Sequence, residues 1–575
     1  MFSSNSAAKT DSHSGAILGQ KNVQFSREAK INELLGSLTL HEKIGQTVQE
    51  RSFSFDNDQT RRAWFAEWPV GSLFCGGEII NRAGGGAVRD EILAAQSACK
   101  MPLLVAGDLE HGAGGVIKGL TLFPHMMALG AANDEALAYE YGKWTALEGR
   151  AAGFTWTFAP VVDLLQNWLN PVVSNRALGA NPEHVARLAD AIIRGLQDHG
   201  LAACAKHFPG DGVDFRDQHL VTSVNSLSRE EWEKNHGRVF QSAINAGVYS
   251  IMSGHIALPW LEPMESSQRR PRPSTVSRRV LMDLLRNQMG FEGVIVSDAL
   301  EMAGFTGWAS YEERIIQAFN AGNDVMLWPG KGYFEIMERA INKGLVPIER
   351  LDDSVKRILN LKIQLGLTPI HSPRDGTSNL PLSEGFSVEF NTESHKAAAQ
   401  IAEKSITLVR NRQGLLPLAS QRVKRVLLHQ AVTPEGGHRH SLQPFIDRLK
   451  ARGIELTILV NGNCLDLPGL EEKGARWDAY LVIFNMQIHE MKNTVRPVGS
   501  MGEVMWTLQN GETVQPIVIS CGTPFLLNDM PFLDTLINTY SSSESTLIAL
   551  DQTLFAEIPF NSFSPVDVGG NWIGL

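Results

Sequence analysis

AKHFPGDGVDFRDQHL, residues Ala205 to Leu220, packs a Lys-His pair, a Pro-Gly turn, a glycine-rich loop with two further acids and an Asp-Gln-His end into one short stretch. The residues before it, Gly200 to Cys204, are small and apolar. The run therefore reads as a buried strand that ends at Lys206 and His207 and breaks into a loop. The same rhythm recurs on both sides. Apolar strands are expected at Thr47–Ser52, Val70–Cys75, Leu103–Leu109, Thr155–Asp163, Ala202–His207, Tyr249–His255, Gly293–Asp298 and Asp324–Trp328. Helical stretches such as ALAYEYGKWTALEGRAAG and PEHVARLADAIIRGLQDHG separate them, with apolar residues at helical spacing. Eight strands alternating with helices predict an α/β fold built on a (β/α)8 TIM-like barrel; an open doubly wound sheet is the competing architecture. Polar residues at the strand C-termini favour the barrel, because that is where a barrel places its active site: Asp108, Glu110, Asp163, Lys206, His207, His255 and Asp298.

Outward from this core, residues 1–25 form a polar arm, a helix starts near Ser26 and runs on through LTLHEKIGQ, and the barrel spans 26–368. HSPRDGTSN, His371–Asn379, holds turn residues and almost nothing apolar, which marks a linker over 369–393. Residues 394–575 then repeat the α/β rhythm, with a helix at Ser394–Lys404 and strands at Ile406–Arg410, Val423–Leu428, Leu456–Val460, Tyr480–Phe484 and Ile517–Cys521. Continuous apolar strands are those covered on both faces, so a smaller three-layer α/β sandwich is expected, with the Pro/Gly/Asn-rich tail Phe560–Leu575 packed irregularly.

A chain of 575 residues supports two well-buried cores, and its net charge of -10, 20% charged and 43% hydrophobic content are those of a globular protein. The acidic balance argues against nucleic acid as a partner, and the RRPRP run at Arg269–Pro273 reads as a solvated loop. Cys75, Cys99, Cys204, Cys464 and Cys521 are scattered in apolar surroundings, like reduced core residues and unlike a disulfide frame or zinc site. No signal-peptide core and no apolar run of roughly 18 residues occurs, so neither a membrane span nor a leader is expected and the location reads as cytoplasmic.

Several residues could carry chemistry. Asp298, ending GVIVSD, is either the N-cap of the following ALEMAGF segment or a nucleophile or base at the barrel mouth. Asp217 and His219 could form a dyad in which the acid fixes the imidazole tautomer and raises its basicity. His207, Asp211, Asp214, Asp217 and His219 are also possible metal ligands, though without a recognised spacing. Lys206 could form a Schiff base with a carbonyl substrate. The glycine runs AGGGAV and HGAGG read as tight turns, because no Lys-Ser/Thr partner follows to make a phosphate cradle.

Taken together, KHFPG at Lys206–Gly210, Gly212, Asp217 and His219, GVIVSDALEM at Gly293–Met302, LTLHEKIGQ and SITLVRNRQGLLPL at Ser405–Leu418 resemble glycoside hydrolase family 3 over nearly the whole chain. The Asp-x-His loop resembles that family's β-N-acetylglucosaminidase branch. The resemblance implies a retaining, exo-acting β-N-acetylglucosaminidase that hydrolyses terminal β-linked GlcNAc from oligosaccharides or muropeptide-type glycosides. Asp298 would be the nucleophile, and His219 with Asp217 the acid/base. Asp108, Arg176 in NRALGANP, Lys206 and His207 would bind the sugar. Alternatives within the family are an N-acetylglucosaminide phosphorylase or a β-glucosidase. More remote readings are a sugar-binding protein without turnover and a Schiff-base lyase.

The implied chemistry needs no cofactor and no metal, and its partner is a small carbohydrate. Three departures stand out: Gln218 replaces the branch's serine, Asp211 replaces its usual histidine, and Glu110-His111-Gly112 replaces Glu-Gly-Gly. The last two are expected to alter the rim of the pocket. An imidazole does not repel an incoming anion as a carboxylate would, which leaves phosphorolysis open beside hydrolysis. Gly210 and Gly212 predict a mobile loop that carries His219 away from Asp298 until substrate binds. A contact from the second domain is expected in Met491–Trp506, through Arg496 or Trp506.

Overall fold

The computed structural model describes residues 26–52, 55–76, 85–266, 269–330, 332–367, 388–432, 441–463, 466, 470, 476–486, 494–510 and 514–569. The expected arm at 1–25 and the motif His371–Asn379 lie outside the described residues.

All eight expected strands of the first half are present: β1 (Val48–Arg51), β2 (Ser72–Phe74), β3 (Leu104–Gly107), β4 (Trp156–Thr157), β5 (Cys204–Phe208), β7 (Ser250–Ser253), β9 (Val294–Ser297) and β10 (Met326–Leu327). A short pair, β6 (Ser223–Val224) with β8 (Ile256–Ala257), lies beside them. The long strands form two parallel sheets, β10-β1-β2-β3-β4 and β5-β7-β9. Isolated parallel bridges join the sheets at both edges: Trp156 with Ala202 and Val161 with Lys206 between β4 and β5, and Val296 with Val325 between β9 and β10. Every strand C-terminus therefore points to the same end.

β4 is much shorter than the run Thr155–Asp163 suggests, because Pro160 has no N–H to give the ladder; pairing resumes only as the bridge at Val161. Strand side chains such as Leu104, Ala106, Cys204, Met252, Val294 and Val296 form one buried cluster, and a larger core lies against the helices. The helix Pro182–Asp198 illustrates the outer layer. Asn181 caps it, Pro182 opens it, and Val185, Leu188, Ala189, Ile192 and Leu196 are buried.

The second half holds a six-stranded sheet of β11 (Thr407–Asn411), β12 (Arg425–Val432), β13 (Glu455–Val460), β14 (Ala479–Asn485), β15 (Pro516–Ser520) and β16 (Thr535–Asn538), in the order β11-β16-β15-β14-β12-β13. Only β11, at one edge, is antiparallel. Alternate residues enter separate cores. Leu428, Leu481 and Ile519 pack with Phe445 and Leu550, whereas Leu427, Val482 and Val518 pack with Met501 and Val504.

The helix expected from Ser394 opens at Val388 and runs to Ser405. It joins the two halves: Ser394 Oγ lies 2.6 Å from Thr121 Oγ1, and Lys404 Nζ lies 2.7 Å from Asp134 Oδ2. The tail also spans both, as Ala180 N donates to Pro565 O at 3.1 Å and Ser562 Oγ to Ala131 O at 3.1 Å. Cys75, Cys99, Cys204 and Cys521 are free thiols. Among the described residues no helix is long and apolar enough to cross a membrane.

Candidate active site

The strand C-termini bring most of the sequence candidates together. Lys206, at the end of β5, is 3% exposed, and its ammonium contacts Asp108 Oδ1 at 2.9 Å and Glu110 Oε1 at 2.7 Å. Glu110 in turn receives two hydrogen bonds from Arg176, at 2.8 and 2.7 Å. This bidentate geometry fixes the guanidinium plane. Burial pushes the Glu110 carboxyl up, but Arg176 and Lys206 outweigh it and hold it well below the usual range. For Lys206 the balance runs the other way: burial lowers its proton affinity, while Asp108 and Glu110 raise it above that of an ordinary lysine. An amine held as a cation is not nucleophilic, so the geometry opposes the Schiff-base alternative.

His207 is anchored from below. Its Nδ1 lies 2.6 Å from Asp163 Oδ2, and its backbone N–H donates to Asp163 Oδ1 at 3.0 Å. Asp211 sits beside this pair. Sequence reasoning put Asp211 at the pocket rim, but it is 2% exposed, donates its N–H to Asp163 Oδ1 at 2.7 Å, and accepts from Asn170 Nδ2 at 2.9 Å. It is thus a buried support, and burial together with Asp163 pushes its carboxyl up to about 7. Sequence reasoning missed Asn170 entirely, because an asparagine in a loop carries no periodic signal. His111, the other departure, packs its ring against His125 with centroids 3.9 Å apart.

Asp298 follows β9, and its backbone N–H donates to Ser253 O at 2.9 Å. It does not cap a helix. The next helix, Ala303–Thr306, starts after Met302, and the Asp298 carboxylate accepts from Ala299 N at 2.7 Å. Burial raises its proton affinity, but His207, His255 and His219 outweigh that and hold the carboxyl below its ordinary value. Asp298 is therefore ionised at neutral pH.

Asp217 is 1% exposed, and its Oδ1 lies 2.7 Å from His219 Nδ1 and accepts the His219 backbone N–H at 2.8 Å. Three hydrogen bonds tie this loop to its surroundings. Ala303 N donates to His219 O at 2.9 Å, Thr222 Oγ1 donates to Gly304 O at 2.8 Å, and Gln218 Oε1 accepts from His255 N at 2.9 Å. Gly212, at φ +99°, serves close packing here: a Cβ would lie 2.0 Å from Leu164 O. The metal alternative finds its candidate ligands engaged separately, Asp214 with Arg216, Asp217 with His219 and His207 with Asp163. Among the described residues no group of three or more His, Cys, Asp or Glu has metal-holding geometry.

The expected contact from the second domain is made by Arg496, whose guanidinium lies 5.7 Å from the Trp168 ring centroid, while Trp506 is 60% exposed.

Comparison with known proteins shows the family. Residues 39–361 match the glycosyl hydrolase family 3 N-terminal domain. The chain is 32% identical over 570 residues to a β-N-acetylglucosaminidase/β-glucosidase of Cellulomonas fimi, covering 95% of this chain and 96% of that protein. A β-hexosaminidase of Neisseria meningitidis is 36% identical over 248 residues, 41% of this chain and 66% of its own. Among solved structures, a β-glucoside phosphorylase bound to 2FGlc superposes with a TM-score of 0.84 at 30% identity, over 95% of this chain and 97% of that one. A family 3 β-N-acetylglucosaminidase from Paenibacillus sp. gives 0.79 at 28% identity, over 92% and 99%.

Proposed function

The chain belongs to glycosyl hydrolase family 3 and is a glycoside hydrolase acting on carbohydrate, and on that premise we propose that it is a retaining, exo-acting β-N-acetylglucosaminidase releasing terminal β-linked GlcNAc from oligosaccharides or muropeptide-type glycosides. We read the ring of parallel strands as a (β/α)8 barrel over 26–368, joined through 369–393 to a three-layer α/β sandwich over 394–575. A cytoplasmic location belongs to the same reading.

In this mechanism the Asp298 carboxylate attacks the anomeric carbon as the glycosidic C–O bond breaks, and His219 Nε2 gives its proton to the departing oxygen. The product of this step is a glycosyl ester on Asp298. Water then attacks the anomeric carbon, His219 takes its proton, and the ester bond to Asp298 breaks, restoring the carboxylate with net retention. Asp217 keeps a proton on Nδ1 and stabilises the imidazolium before each donation. Asp108, Lys206, His207 and Arg176 would grip the hydroxyls, with Glu110 setting the two cations. The observation that carries the reading is the joined pair of loops. His219, fixed by Asp217, is tied through Ala303 N to the segment that follows Asp298 and lies near enough to lower that carboxyl's proton affinity.

Phosphorolysis is the second reading, favoured by the likeness to a β-glucoside phosphorylase and by an imidazole where an anionic acid/base would repel phosphate. The test compares 4-nitrophenyl N-acetyl-β-glucosaminide with the matching glucoside, with and without inorganic phosphate, and identifies the sugar product. Free N-acetylglucosamine at a phosphate-independent rate is expected. Sugar 1-phosphate as the main product would replace hydrolysis by the second reading, and turnover of the glucoside alone would make the enzyme a β-glucosidase.

A further inference from the structure

The segment 164–180, which carries Arg176, lies between the loop of the proton donor and the second domain. On the donor side, Asn167 N donates to Gly212 O at 2.8 Å and Asn167 Nδ2 to Val213 O at 3.0 Å. Asn170 Nδ2 donates to Asp214 O at 2.8 Å and to Asp211 Oδ1 at 2.9 Å. Four contacts thus fasten residues 211–214, immediately ahead of the Asp217–His219 dyad. Asp214 extends the hold, because its carboxylate accepts from Val224 N and from the Arg216 side chain.

On the other side stands Trp168, between the two asparagines in sequence. Its ring meets Phe525 at 6.3 Å and Arg496 at 5.7 Å, both from the second domain. Arg496 is itself held by Asp529, whose side chain is 7% exposed. Further along the segment Asn175 Nδ2 donates to Tyr540 O at 3.1 Å, and Leu165, Val173 and Ala177 share one buried cluster with Phe525, Tyr540 and Val566. A single cation over an indole is too weak to hold two domains together but strong enough to choose the position of a single turn.

We infer that Trp168 is a positioning residue for the proton donor: the second domain, through Arg496 and Phe525, fixes the Trp168 turn, and Asn167 and Asn170 pass that position to residues 211–214 and so to His219. The inference rests on His219 being the acid/base, and it gives the second domain a part in catalysis without requiring it to touch the sugar.

A leaving group that departs readily needs no proton, whereas a poor one does. The experiment therefore measures kcat/KM for a series of aryl N-acetyl-β-glucosaminides, from 2,4-dinitrophenyl to phenyl, in the wild type, Trp168→Ala, Trp168→Phe, Arg496→Ala and His219→Ala, with melting temperatures as the control for folding. His219→Ala is expected to lose about 10²–10⁴-fold on the phenyl glycoside and little on the dinitrophenyl one. Trp168→Ala should show the same selective pattern at about 10–10²-fold, Arg496→Ala a smaller one, and Trp168→Phe should restore most of the loss. A uniform loss across leaving groups in Trp168→Ala, with the selective pattern intact in His219→Ala, would overturn the inference alone. A uniform loss in His219→Ala would remove the acid/base assignment and the inference with it.

Discussion

Asp211→Asn probes the buried carboxyl pair beneath the pocket. Asp163 is fully buried, and its two oxygens are saturated by His207 N, His207 Nδ1 and Asp211 N. Asp211 Oδ1 accepts from Gly212 N at 2.6 Å and from Asn170, but its Oδ2 is buried with no hydrogen-bond partner among the described residues. A second anion here would be buried and beside the first, so burial and Asp163 push Asp211 up to about 7 while His207 only partly offsets them. His236, packed under Gly210, gives no relief, because burial pushes its imidazole down to about 4 and it is neutral at pH 7.

The folded state therefore keeps a proton that the unfolded chain releases near 3.8, and stability falls as pH rises from about 4 to about 7, then levels off. At about 1.4 kcal/mol for each tenfold change in proton affinity the full effect is about 4 kcal/mol, with about 2–3 kcal/mol of it between pH 5 and pH 8. Asparagine has the shape of the protonated acid and cannot ionise. Denaturant unfolding of wild type and variant across pH 5 to 8.5 should thus show the variant gaining on the wild type by about 2–3 kcal/mol as pH rises. Stability curves that run parallel over this range would refute the claim that Asp211 holds a proton in the folded protein.

Asp298→Asn should fold normally and still bind sugar but lose on the order of 10⁴-fold in kcat, measured with the dinitrophenyl glycoside; an unchanged rate would sink the glycosidase mechanism. Glu110→Gln leaves buried Lys206 and half-buried Arg176 with one carboxylate fewer, so unfolding at neutral pH should show a loss of about 3 kcal/mol. Because the Glu110 carboxyl is held low, its contribution is present above the ordinary glutamate range and is lost as pH falls, so the deficit should shrink in acid. Gly212→Ala sets a Cβ at 2.0 Å from Leu164 O at a left-handed φ. It should lower the melting temperature and impair phenyl glycosides more than dinitrophenyl ones, since the strain falls on the donor loop.

The fold was legible where burial acts on a whole strand. Eight short runs, most of them apolar, were expected in the first half and all appear as strands. The exceptions have local causes. β4 is cut short at Pro160, and β16, four residues in a turn-rich stretch, is too brief to stand out although it is fully buried between β11 and β15. The ionisable residues at strand ends were legible one by one. Their wiring was not, because Glu110 meets Arg176 across 66 positions and Lys206 from a strand two away in the sheet order. The packing role of Gly212 was hidden for a related reason. Gly212 signals freedom in a sequence, but here it answers a close approach by Leu164, a contact that no local pattern encodes.

The electrostatics around Asp298 give a reason for an imidazole in the second role. His207, His255 and His219 all lower the proton affinity of the half-buried Asp298, the nucleophile of the proposed mechanism. A carboxylate in place of His219 would act in the opposite sense. Two acids facing one sugar must be pushed apart in proton affinity, one kept ionised and one protonated, and in a buried site that separation has to come from neighbouring charges. The Asp217–His219 dyad achieves it differently. The anion of the dyad is Asp217, fully covered and facing the far side of the imidazole, so the group presented to Asp298 is neutral or cationic throughout the cycle. In the proposed mechanism nucleophile and proton donor then favour each other's working protonation states, while Asp211, whose carboxyl burial pushes up, stays in the layer beneath with its backbone N–H donating to Asp163 Oδ1.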